Sequence, residues 1–156
     1  MKRCALAIIF AAVIAMSPAA ASAALRDSVK GTAEHLGADP PFPAIKVQIN
    51  ARADKSGEAR GHLTAGIETL GVKDRARVVC LSVFGNRATI GTEIVKSNDP
   101  AVVGHGQLWS VVDNGSAGVD RIAGFPITPT PPTTCPPLFF DVPVVSGDYV
   151  VHDATP

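Results

Sequence analysis

The chain has no surplus of charge of either sign: 14 Lys and Arg stand against 14 Asp and Glu in 156 residues. A near-neutral chain lacks the electrostatic footprint that nucleic acid or an anionic membrane surface requires. Aromatic residues are scarce, with six Phe, one Trp and one Tyr, which argues against a sugar-stacking cleft. Beyond the N-terminal segment no apolar run approaches the roughly 20 residues a membrane-spanning helix needs. The histidines, His35, His62, His105 and His152, never fall in an HxH, HxxH or HExxH spacing, so no zinc motif is present. Gly115-Ser116-Ala117-Gly118 lacks the residue that a nucleophile elbow carries between its first Gly and the Ser.

What is present begins at the N-terminus. Lys2 and Arg3 precede an apolar run, Ala5 to Met16, and Ala21-Ser22-Ala23 closes the segment. Charged start, short apolar middle and A-x-A end are the pattern of a secretory signal peptide, expected to be cleaved after Ala23. The expected mature chain is one β-domain, 24–156, secreted or extracytoplasmic and slightly acidic once Lys2 and Arg3 leave. Cys4 departs with the leader. Cys80 and Cys135 remain, and in an oxidising compartment an even count suggests one disulfide. Two free thiols or half a metal site are the alternatives, and no CxxC spacing favours the latter.

Alternation with period 2 dominates the rest. Ile45, Val47, Ile49, Ala51 and Ala53 alternate with polar residues up to Asp54, so one face is buried and one wet. Asp54-Lys55-Ser56-Gly57 forms a turn, and Ala59 to Ile67 alternates again. Arg77 to Phe84 is apolar on both faces, as a central strand is. Gly85-Asn86 then turns the chain into Arg87 to Lys96. Gln107 to Asp113, with the only tryptophan, Val119 to Ile127 and Gly147 to Asp153 read as further strands. Ser28 to Leu36 is ambiguous, with helical spacing of Leu25, Val29, Ala33 and Leu36 set against Gly31 and Thr32; a strand is favoured. Prolines 126, 129, 131, 132, 136, 137 and 143 make the stretch before the last strand an extended connection. About eight short strands predict an all-β fold, an antiparallel sandwich or barrel.

One loop carries metal-ligand chemistry. Asp113, Asn114 and Asp120 surround a Gly turn, and two carboxylates with an amide oxygen suit calcium, although the spacing is not that of an EF-hand. The alternative is a turn whose Asx side chains cap their own backbone. No other cofactor is indicated.

Several short motifs share an order with a known group. These are Gly57-Glu58-Ala59-Arg60-Gly61, Val79-Cys80-Leu81-Ser82-Val83, Gly85 to Gly91, Val112-Asp113-Asn114-Gly115 with Asp120, Cys135, and Ser146 to Ala154. Together they cover most of the mature chain. In this order the chain resembles uncharacterised bacterial secreted proteins similar to the small β-domains of post-COAP type. It departs from them at Glu58-Ala59, where related sequences tend to carry a proline. The resemblance implies a secreted β-domain in which both cysteines belong to the pattern, and it carries no established activity. Three functions follow as expectations: a non-enzymatic binding or structural module, a barrel holding a small ligand, or a metal-dependent hydrolase using Asp113, Asp120 and a histidine. The sequence names no partner.

Overall fold

The computed structural model describes residues 26–37 and 43–154; the leader assigned to 1–23 lies outside the described residues. Eight strands follow one another: β1 (Ser28–Leu36), β2 (Ala44–Ala53), β3 (Ala59–Ile67), β4 (Val72–Phe84), β5 (Arg87–Ser97), β6 (Gly106–Val112), β7 (Arg121–Gly124) and β8 (Val142–His152). Each pairs antiparallel with the next, and β8 returns to pair with β1. The sheet therefore closes. The fold is a barrel, and the sandwich alternative is corrected: the strands close on one another in a single sheet and form no second one.

Inward positions fill the barrel. Val29 and Ala33 from β1, Val47 and Ile49 from β2, Leu63 from β3, Ile90 from β5, Val111 from β6 and Ile122 from β7 form one core. Each large aliphatic side chain buried there contributes about 1.5–3 kcal/mol. Outward positions on β1 and β2 are Lys30, Thr32, Lys46, Gln48, Asn50 and Arg52, all exposed. That is the reverse of the apolar band a lipid-facing barrel carries. Among the described residues no helix is long and apolar enough to cross a membrane.

Tyr149 sits inside, its hydroxyl donating to the Val47 carbonyl at 3.0 Å; burial raises its pKa. Its cross-strand partner is Gly31. A Cβ there would lie 2.7 Å from Tyr149 Cα and 2.8 Å from its ring, so only glycine lets β1 and β8 meet around the aromatic ring. The residue that weakened a helical reading of Ser28–Leu36 is thus a packing requirement of the strand.

Residues 125–141 form a strap across the outer face of β5 and β6. Thr128 bridges to Gly106, with N–H to O distances of 2.9 and 2.8 Å. Cys135 is bonded to Cys80, 55 residues earlier, a loop whose closure stabilises by at most about 4 kcal/mol. A bulge makes this bond reachable. The pairing of β4 with β5 shifts between Val78 and Cys80, so Val78 faces the core while Cys80 faces out over Gly91. A Cβ on Gly91 would lie 2.4 Å from Cys80 Sγ and 2.8 Å from Pro132. Beyond the disulfide, Asp141 holds the strap's end. Its carboxylate accepts from Arg87 at 2.6 Å and Arg121 at 2.5 Å, and Arg87 also donates to the Leu138 carbonyl at 2.9 Å. Burial pushes the Asp141 pKa up, but the bonds from Arg121 and Arg87 outweigh it and hold the pKa below the ordinary value.

Candidate ligand pocket at the barrel mouth

One end of the barrel gathers the close of β1 and the starts of β2, β6 and β8. Here the inward phase of β1, Val29 and Ala33, continues to His35, which is 5% exposed. The imidazole is locally tied: Nδ1–H donates to the Leu36 carbonyl at 3.0 Å. In the neutral ring that assignment leaves Nε2 as a bare acceptor. Burial lowers the His35 pKa, outweighing the opposing effect of the Leu36 bond, so the ring is neutral at neutral pH.

Trp109, 3% exposed, projects inward from β6. Its partner across the β6–β7 ladder is Gly124. A Cβ on Gly124 would come within 2.8 Å of the indole ring, so glycine gives the ring its bed. The indole Nε1–H is a donor without an acceptor. His35 Nε2 and Trp109 Nε1 are the two buried side-chain atoms without a hydrogen-bond partner among the described residues.

Both residues line the same pocket, of about 170 Å³. Among the described residues its remaining walls are mainly apolar: Leu36, Ile45, Ala123, Phe140 and Val142. Gln107 also borders it, donating one of its two amide N–H groups to the Phe125 carbonyl at 2.8 Å. Phe140 is set by an edge-to-face contact with Phe125, centroids 6.4 Å apart, so the strap furnishes part of the wall. The β1–β8 register slips between Glu34 and His35, a bulge at the pocket rim. Leaving a buried donor or acceptor unmet costs about 1–3 kcal/mol each. Both rings border the pocket, while the two unmet nitrogens are themselves closed off from solvent. A wider concavity of about 600 Å³ crosses the outer face of β1–β4, lined by Thr32, Gln48 and Lys73 among others, but those side chains are exposed and nothing there is left unmet.

The residues singled out for metal chemistry lie at the opposite end. Asp113 Oδ1 accepts the Gly115 N–H at 2.8 Å and Oδ2 the Val151 N–H at 2.9 Å. Asp120 Oδ1 accepts the Asn114 N–H at 2.8 Å and Oδ2 the Tyr149 N–H at 2.7 Å. The Asn114 amide donates to the Val119 carbonyl at 2.6 Å. All four carboxylate oxygens thus cap backbone, stitching the β6–β7 loop to β8. Asp148 lies against Asp120, and that hydrogen bond, with the nearby negative charges, raises its carboxyl pKa. Among the described residues no three His, Cys, Asp or Glu side chains are placed to hold a metal ion. His62 on β3 and His152 on β8 are separated by β1 and β2, and His105 lies in the β5–β6 connection.

The pocket was legible in part. His35 falls on the apolar phase of an alternating strand, and a polar residue there is the trace a site leaves. Trp109 is the single tryptophan, but that the two meet depends on barrel closure. Fold and site together define a small closed β-barrel with a partly polar mouth pocket and a disulfide-fastened strap. The chain matches no family model, no curated protein and no solved structure.

Proposed function

We propose that the chain is a secreted, non-enzymatic binding module that takes a small organic molecule into the mouth of its barrel. The observation that carries this is a mouth pocket of about 170 Å³ with mainly apolar walls, bordered by His35 and Trp109, the two residues that each hold an unmet buried ring nitrogen. The filled barrel below supplies a rigid floor, and strands hold both polar groups. The Cys80–Cys135 bond fits an oxidising compartment, in keeping with the leader expected at 1–23. The commitment of Asp113 and Asp120 to backbone N–H groups supports a structural role for that loop.

The test is a ligand-observed NMR screen with a mixed set of neutral, anionic and cationic fragments. Binding that disappears in Ile45→Trp, which fills the pocket from β2, is expected. If no fragment binds, or binding survives that substitution, the barrel mouth is not the site.

A further inference from the structure

The near-zero net charge conceals a separation of charge around the barrel. Strands β1 to β5 carry nine Lys and Arg against three Asp and Glu. Residues 98–154 carry six Asp, no Glu, one Arg and no Lys. Lys30, Arg52, Lys73, Arg75 and Lys96 are exposed on the outer face, and among the described residues none of them forms an ion pair.

The strand registers gather these side chains. Lys73, Arg75 and Arg77 alternate along β4, about 7 Å from one to the next. Thr64 of β3 is opposite both Gln48 and Arg75, and Gly66 is opposite both Lys46 and Lys73. Arg75 is in turn opposite Lys96, and Arg52 is opposite Arg60. Like charges directly opposite one another destabilise a sheet. Glu58 answers Arg60 at 3.1 Å, but among the described residues no carboxylate answers Arg75 or Lys96. The fold gains nothing from that pair, which points to a partner that supplies the negative charge.

The same face is hollowed. With no side chain at Gly66, the concavity of about 600 Å³ opens between Lys46 and Lys73, bordered by Thr32, Gln48 and Thr64. Glu34 and Glu68 border it too, Glu34 lying 3.9 Å from Lys46. A hollow lined by hydroxyls and an amide takes a narrow polar chain, whereas a bilayer passes over it. β1, β2, β3 and β4 as far as Arg77 contain no Phe, Tyr or Trp, so bases of a nucleic acid find no platform to stack on and a lipid surface finds no aromatic anchor. A sugar chain bearing carboxylates meets both halves of this chemistry, with hydroxyls for Thr and Gln and charges for Lys and Arg.

We infer that the outer face of β2–β5 is a second binding surface, independent of the mouth pocket, for an acidic polysaccharide whose carboxylates meet Lys73, Arg75 and Lys96 and whose hydroxyls meet Gln48 and Thr64.

The experiment titrates the disulfide-bonded, ¹⁵N-labelled protein with a galacturonate decamer, its fully methyl-esterified form, single-stranded DNA of equal charge, and phosphatidylglycerol vesicles. The galacturonate decamer is expected to saturate and to shift the amides of Gln48, Thr64, Gly66 and Arg75, with the neutral ester shifting none. Arg75→Gln combined with Lys96→Gln is expected to weaken that binding about tenfold while melting no lower than wild type, because it removes a like-charge pair. The wild-type series decides the matter even if that variant fails to fold. If the ester, the DNA or the vesicles bind at these amides as tightly as the acid, the ligand class is overturned. If the same amides shift with protein concentration alone, the face meets a second copy of the chain, which overturns it likewise. No shift on β2–β5 with any probe overturns the surface itself and leaves the reading of the mouth as it stands.

Discussion

Replacing Asp141 by Asn tests whether the strap is clamped by charge. The Asp141 side chain is 6% exposed, against 25% for Arg87 and 40% for Arg121. Removing one partner of a fully buried ion pair costs about 3–5 kcal/mol. Both guanidinium groups here keep access to water, and Arg87 retains the Leu138 carbonyl, so the cost is discounted to about 2 kcal/mol. For a domain of this size that corresponds to a fall in Tm of about 5–10 °C. The pH dependence is the sharper signature. Two arginines hold the carboxyl below its ordinary pKa. Its contribution is therefore complete above the ordinary carboxylate range and is lost as pH falls through the folded-state value. Urea unfolding of wild type and Asp141→Asn should show a gap at about pH 7 that closes toward about pH 2. A gap under about 0.5 kcal/mol at neutral pH would refute the clamp, since that is the range of an ordinary surface substitution. Because Phe140 adjoins Asp141 and walls the pocket, the variant should also weaken probe binding at the mouth.

Gly91→Ala places a methyl group where Cys80 Sγ and Pro132 now sit, at 2.4 and 2.8 Å. A loss of about 1–3 kcal/mol and easier reduction of the disulfide are expected, read by denaturation and thiol titration; wild-type values in both would show that the strap does not lie against β5. His35 gives a second pH signature: its folded pKa is lowered from 6.5, so as pH falls below that value the unfolded chain gains a proton the fold resists, and stability drops until folded His35 itself protonates. His35→Leu should flatten the urea midpoint across this window, and a slope equal to wild type would mean that His35 is not held neutral. Replacing both Cys80 and Cys135 by Ser should cost about 2–4 kcal/mol while far-UV circular dichroism stays that of a barrel, because closure through β1 and β8 does not depend on the strap. Loss of the β spectrum would contradict that separation.

Much of the barrel was legible because period-2 alternation is a local property. Ile45 to Asp54 and Ala59 to Ile67 differ from the observed β2 and β3 by one residue or none at each end. The less legible places are where tertiary context overrides the local pattern. β4 begins at Val72 rather than Arg77, because its first residues are paired by β3 despite being mostly polar. β7 stops at Gly124, short of the expected Ile127: Phe125 still donates to the Leu108 carbonyl of β6 at 2.9 Å, and the chain then runs on into the strap. β8 begins at Val142 and runs through Pro143, which β7 tolerates because only two residue pairs join them. The bulge that turns Cys80 outward carries no sequence mark, since Val78, Val79 and Cys80 are all apolar. The Asp113–Asp120 loop presented metal-type residues, and their commitment to backbone N–H groups is visible only with β8 alongside. The mouth pocket was hidden for the same reason. His35 and Trp109 lie far apart in sequence, and closure through β8 is what sets β1 near β6.

The most direct test is a high-resolution crystal structure of the protein purified from its own host. The expected result is density for a compact organic molecule in the mouth pocket, against His35 and Trp109. Ordered water alone in that pocket, or a collapsed pocket, would contradict the claim that the barrel mouth is a ligand site.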